Sequence, residues 1–160
     1  MSREFELDLF ADYFQFYLQD EDAEGDLSDS WTQEAVDRLL ALAPGTIGVG
    51  TVRNVNVRVV VEVHDQDPMR DDSNGWDQVN ECSVEVPSGR IVIAGCTDYY
   101  PDAARIEVKQ GWHRARVYYG DLNSLSEDGL EGRDHYKIVL WSAPPGPLTV
   151  IKSRSKQTES

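Results

Sequence analysis

The chain is poor in cysteine, in basic residues and in long apolar runs. Cys82 and Cys96 are its only cysteines, too few for a disulfide framework and wrongly spaced for a zinc motif. No apolar stretch approaches the length that a bilayer crossing needs. The start, "MSREFELDLF", lacks the basic region and apolar block of a secretory signal, so the expected location is the cytoplasm. Fifteen Lys and Arg stand against 29 Asp and Glu, for a formal net charge of −14. That shortage of cations argues against direct binding of DNA or RNA, whose phosphates demand Lys and Arg. Nucleophile-elbow, phosphate-loop, zincin and dinucleotide fingerprints are absent. No catalytic residue, metal or cofactor is therefore assigned, and the chain is not expected to be an enzyme.

What is present alternates with period two. "EFELDLF" sets Phe5, Leu7 and Leu9 against acids, and "YFQFYL" puts Phe14, Phe16 and Leu18 on one face. "NVNVRVVVEV", "NECSVEV", "RIVIAG", "RIEVKQ", "HRARVYYG", "HYKIVLW" and "LTVIK" read as further short strands. This rhythm predicts a mainly β fold, a single-domain antiparallel sandwich over residues 1–152, with a frayed basic tail at 153–160. One short α-helix is expected at about residues 31–42. Ser30 is its candidate N-cap, Gln33 completes a capping-box pattern, and Pro44-Gly45 stops it. A two-residue turn at Ser88-Gly89 would make a hairpin in which Val86 faces Ile91 and Val84 faces Ile93. Cys82 and Cys96 would then lie one residue out of register, on opposite faces, as free thiols.

The histidines offer little chemistry. His64, His113 and His135 are far apart in sequence. Glu62 with His64 could form a corner of a metal site, but no third ligand presents itself. His135 beside Asp134 invites a catalytic dyad, yet it reads better as the start of a strand burying Tyr136, Ile138 and Leu140.

The acids are unevenly placed. Twelve of them lie between the start of the chain and Asp37, against a single base, Arg3. The stretch "DEDAEGDLSDSW" imitates a calcium loop, with Asp20, Asp22, Glu24 and Gly25 in place, but its twelfth position is Trp31 and not a bidentate Glu. A second acidic segment is "HDQDPMRDDSNGWDQ", and Tyr99-Tyr100 lie in another loop. Aromatic rings beside acids suit an interface for a basic partner, with charge to steer and rings to anchor. The candidate partner-binding residues are Asp20, Glu21, Asp22, Glu24, Asp26 and Asp29, then Asp65, Asp67, Asp71, Asp72, Trp76 and Asp77, with Tyr99 and Tyr100.

"YFQFYL", "WTQEAV", "RN" at Arg53-Asn54 and "LWSAPP" occur in that order. Together they resemble the competence protein J family, inhibitors of the DNA-entry nuclease in naturally competent bacteria. The resemblance implies a non-enzymatic protein that binds a nuclease and restrains it. Trp31, Thr32, Glu34 and Ala35 carry the motif but look structural on physical grounds. The leading expectation is thus an acidic domain that occludes the basic groove of a nuclease or similar partner, with no nucleic acid or membrane bound directly. The alternative is a calcium- or ligand-binding β-sandwich module without catalysis.

Overall fold

The computed structural model describes residues 2–68, 74–128 and 131–153. Asp71, Asp72 and the tail beyond Ser153 lie outside the described residues. In chain order the strands are β1 (Ser2–Phe10), β2 (Gln15–Asp20), β3 (Leu40–Ala43), β4 (Thr46–Gly50), β5 (Asn56–His64), β6 (Gln78–Val86), β7 (Arg90–Gly95), β8 (Ala104–Glu107), β9 (Gly111–Gly120), β10 (His135–Ser142) and β11 (Thr149–Lys152). A single α-helix among the described residues, α1 (Gln33–Arg38), separates β2 from β3. The first sheet runs β1-β5-β10-β9-β6-β11 and the second β3-β4-β2-β7-β8. Every pairing is antiparallel except β5 with β10, which run parallel.

The two sheets share one core, as the alternation demands. Val57, Val59, Val61 and Val63 of β5 turn inward with Ile138 and Leu140 of β10. They meet Phe16, Leu18, Ile47, Val49, Ile91 and Ile93 of the second sheet. Tyr136 lies edge-on to both Phe16 and Tyr119, at 6.0 and 5.9 Å between ring centres. Its hydroxyl donates to Asp134 at 2.6 Å and accepts from the Val52 N–H at 3.0 Å. Asp134 also pairs with Arg53, so this buried carboxylate is committed to the frame and not to His135.

Three local expectations change. The hairpin at Ser88-Gly89 does not form: β6 pairs with β9 and β11, whereas β7 pairs with β2 and β8. Val86 faces Gly111, and Ile91 faces Asp20 and Ile106. The turn carries the chain from one sheet to the other. A corner of this kind lets Val84, Val86, Ile91 and Ile93 all face a single core, which suits their burial as well as a hairpin would. Cys82 is buried in the first sheet, Cys96 is exposed after β7, and both are free thiols.

The helix is shorter than its apolar spacing predicts, and its N-cap is Thr32, whose Oγ1 accepts from the Ala35 N–H at 3.2 Å. It ends at Leu39, which is left-handed at φ 63°. From Leu40 onward the backbone pairs with β4, Leu40 against Val49 and Leu42 against Ile47. The carbonyls freed at the helix end are taken by the first sheet. Asn80 donates to Arg38 O at 2.8 Å, and the Tyr119 hydroxyl donates to Leu39 O at 2.6 Å. Strand pairing plus these side-chain caps outweigh helix periodicity in so short a segment.

The third change is at the start of β2. Phe14 does not join the buried face of Phe16 and Leu18; it sits 53% exposed in a tight turn over Asp12–Phe14.

Candidate partner-binding surface

The loop from Asp20 to Thr32 is folded onto the outer face of the second sheet. Asp20 anchors its start. One carboxylate oxygen accepts from the Ser88 N–H and hydroxyl at 3.0 and 2.6 Å; the other accepts from the Asp22 N–H at 3.0 Å. Only 2% of Asp20 is exposed, so this acid belongs to the sheet corner and not to a surface. Glu21 is next to be tied. Its two oxygens take the Nε atoms of Arg90 and Arg105 at 2.7 and 2.8 Å, and its carbonyl accepts from the Tyr100 hydroxyl at 2.8 Å. The hydrogen bonds from Arg90 and then Arg105 hold its carboxyl below the ordinary range.

Further along, Gln19 donates to Ala23 O at 2.8 Å, and Asp26 accepts from the Ser28 N–H at 3.0 Å in an Asx turn. Bonds from Ser28 likewise lower the Asp26 carboxyl. Leu27 and Trp31 press the loop onto Tyr17, Ala35, Ala41 and Ala43, and the Trp31 indole donates to Gln15 at 3.1 Å. Gly48 on β4 makes room: a Cβ there would lie 2.7 Å from Leu27 Cδ1 and 3.1 Å from Trp31 Cζ2.

With Asp20 and Glu21 engaged, Asp22, Glu24, Asp26 and Asp29 are the acids of this loop left on the exposed surface. Beneath them opens a cleft of about 510 Å³, lined by Gln15, Tyr17, Gln19, Glu24, Trp31 and Tyr100 among others. Burial pushes the Tyr17 and Tyr100 hydroxyls above the ordinary phenol range, so both stay protonated donors at neutral pH. Tyr99, 70% exposed, stands beside Tyr100, whose ring lies 5.2 Å from the Arg105 guanidinium. An acid rim over a floor of aromatic and amide side chains can accept cationic groups from a partner.

The second acidic segment lies elsewhere. Its described residues, 65–68 after β5 and 74–77 before β6, lie on the outer face of the first sheet. Asp67 sits 3.5 Å from Arg116, and Trp76 packs on Tyr118 and His135 at 5.3 and 5.0 Å. Asp77 accepts from the Leu122 N–H at 2.7 Å, and Asp65 is exposed. The structure therefore brings Tyr99 and Tyr100 to the first loop and sets Asp65, Asp67, Trp76 and Asp77 on the opposite side of the sandwich.

Sequence reasoning missed Gln15, Tyr17, Gln19 and Cys96 in the cleft. The alternation that turns Phe16 and Leu18 inward leaves Gln15 and Tyr17 on the other face, but nothing announced Gln19 there or that the acidic loop would roof it. The histidines stay apart. His64 meets Glu62 at 2.9 Å, His113 meets Lys109 O at 2.8 Å, and His135 meets Arg133 O at 3.0 Å. Among the described residues no group of three or more His, Cys, Asp or Glu could hold a metal, and no helix is long and apolar enough to cross a membrane.

No protein-family model matches the chain, and no curated protein matches it significantly. Two solved structures do. One is ComJ, inhibitor of the DNA degrading activity of NucA, from Bacillus subtilis, with a TM-score of 0.69 and 19% identity over 89% of this chain and 99% of that one. The other is crocagin biosynthetic gene J, with a TM-score of 0.59 and 18% identity over 88% and 97%. At these identities the likeness establishes architecture: the chain has a ComJ-like β-sandwich fold.

Proposed function

We propose that this chain is a non-catalytic inhibitor of a DNA-degrading nuclease, and that it docks through the acidic loop over the second sheet. The observation that carries the reading is the state of that loop. Asp20, Glu21, Leu27 and Trp31 fix its backbone, while Asp22, Glu24, Asp26 and Asp29 are left facing water. Like charges held together cost stability, so a rigid cluster of them suits an opposing surface. A nuclease groove is basic in order to hold phosphates. ComJ, which has the same fold, inhibits the DNA degrading activity of NucA.

The mechanism is occlusion. The exposed acids take the place of DNA phosphates along the groove, and Tyr17, Trp31 and Tyr100 accept the stems of Lys or Arg reaching in. Steering by charge speeds encounter, and rings buried on docking slow release. The test is capture from a lysate of the source organism, followed by a DNA-cleavage assay with each captured protein. A basic nuclease whose cleavage falls in proportion to added chain is expected. Captured partners that include no nuclease, or a nuclease that still cleaves when saturated, would overturn the reading.

A further inference from the structure

The outer face of the first sheet holds a cleft of about 670 Å³ whose chemistry opposes that of the whole chain. Four of its thirteen lining residues are Lys or Arg: Arg53, Arg58, Arg133 and Lys137. In the chain as a whole such residues number 15 in 160. Strand register gathers them. Arg58 on β5 lies between Asp8 on β1 and His135 on β10, and Lys137 stands two residues on, beside Val60. Trp76 forms a wall, its ring 5.0 Å from that of His135.

These cations differ in availability. Arg53 is held by buried Asp134, and Lys137 by Glu62 at 2.9 Å. Arg58 holds Glu6 at 3.1 Å, but both side chains are more than 60% exposed. Such a surface pair contributes little and exchanges readily. Arg133 is exposed, and its guanidinium has no ion-pair partner among the described residues. Two guanidinium groups can thus turn to a ligand.

A planar guanidinium matches phosphate oxygens in pairs of hydrogen bonds. The Trp76 and His135 rings beside it match a flat heteroaromatic ring. The cleft volume lies within the range of small-molecule sites. Its border limits the ligand: Glu4 and Asp8 line it, and Glu6 is adjacent. A long polyanion would run onto these carboxylates, so the fitting anion is compact. We propose that this cleft binds a nucleoside monophosphate, with the phosphate on Arg58 and Arg133 and the base against Trp76. The site lies across the sandwich from the acidic loop and does not depend on the nuclease reading.

Calorimetry and backbone NMR with the full chain decide it, using deoxyadenosine monophosphate as probe and inorganic phosphate and deoxyadenosine as controls. Saturable binding is expected, with shifts centred on Trp76, Arg58 and Arg133. Arg58→Ala and Arg133→Ala, both at exposed positions, should each weaken it about tenfold. Trp76→Phe should retain part of the affinity and Trp76→Ala little, with folding of each variant checked by its melting curve. Glu107→Gln, exposed on β8 of the second sheet and lining neither cleft, should change nothing. Absence of saturable binding at millimolar nucleotide would overturn the proposal. So would affinity unchanged in both arginine variants, or inorganic phosphate binding as well as the nucleotide.

Discussion

Asp20 and Glu24 stand in one acidic run, and composition gives no means of telling them apart. The structure separates them by what each carboxylate touches. Asp20 accepts three hydrogen bonds at the sheet corner, whereas Glu24 is exposed at the rim of the cleft. Asp20→Ala strands the Ser88 and Asp22 donors and should cost about 1.5–3 kcal/mol, the range for bonds to a charged group. Glu24→Gln should stay within about 0.5 kcal/mol of the parent. Urea unfolding of both variants checks this, and equal losses would mean that the corner does not rely on Asp20. Glu21 gives a pH signature. Its folded carboxyl titrates below the ordinary 4.5 because Arg90 and Arg105 bond the charged form. A depressed acid contributes stability above its unfolded value and loses it as pH falls through the folded one. Stability should therefore decline on acidification below about pH 4.5, and Glu21→Gln should flatten that decline. A variant whose acid limb matches the parent would remove Glu21 as a source.

The elements show which signals a sequence carries well. Alternation within a strand is a property of that strand alone, and it identified the inward residues of β1 (Phe5, Leu7 and Leu9) and of β10 (Tyr136, Ile138 and Leu140). Which sheet a strand joins is a property of its neighbours, so the Ser88-Gly89 turn read as a hairpin although it is a corner between sheets. The helix failed in the same way. Leu39 and Leu42 keep helical spacing, but β4 offers Val49 and Ile47 as strand partners, and the chain turns at Leu39 to reach them. The cleft was half legible for a related reason: the outward Gln15 and Tyr17 of β2 followed from the pattern, but Gln19 and the roof did not. Gly48 is the element-level test of that roof. Gly48→Ala would push Leu27 and Trp31 off β4, at a cost of roughly 1–3 kcal/mol for overpacking. The Trp31 indole should become more solvated, seen as a red shift in emission against a Trp31→Phe control. Gly95→Ala should cost more, because its Cβ would strike the backbone carbonyl of Phe10 and not a side-chain end that can move. Parent-like stability and emission in Gly48→Ala would mean that the loop is not seated on the sheet.

At the scale of the whole molecule, the described acids that the sequence read as one surface lie on two faces. Asp22, Glu24, Asp26 and Asp29 crown the second sheet, whereas Asp65 and Asp67 lie over the first, where Arg116 and the cation-lined cleft partly offset them. A rigid partner groove cannot meet both faces at once, so neutralisation face by face identifies the one that docks. Changing Asp22, Asp26 and Asp29 to Asn and Glu24 to Gln removes four like charges and no core contact. The fold should hold or gain slightly as repulsion falls. Association with the captured nuclease should slow at low salt, on the order of tenfold or more, and lose most of its salt dependence. Changing Asp65 and Asp67 to Asn should leave the on-rate near that of the parent. Stopped-flow association at low and high salt, with melting temperatures for each variant, measures all of these. If the second pair slows association and the first four do not, docking is through the first sheet, and the acidic loop is there for the fold alone.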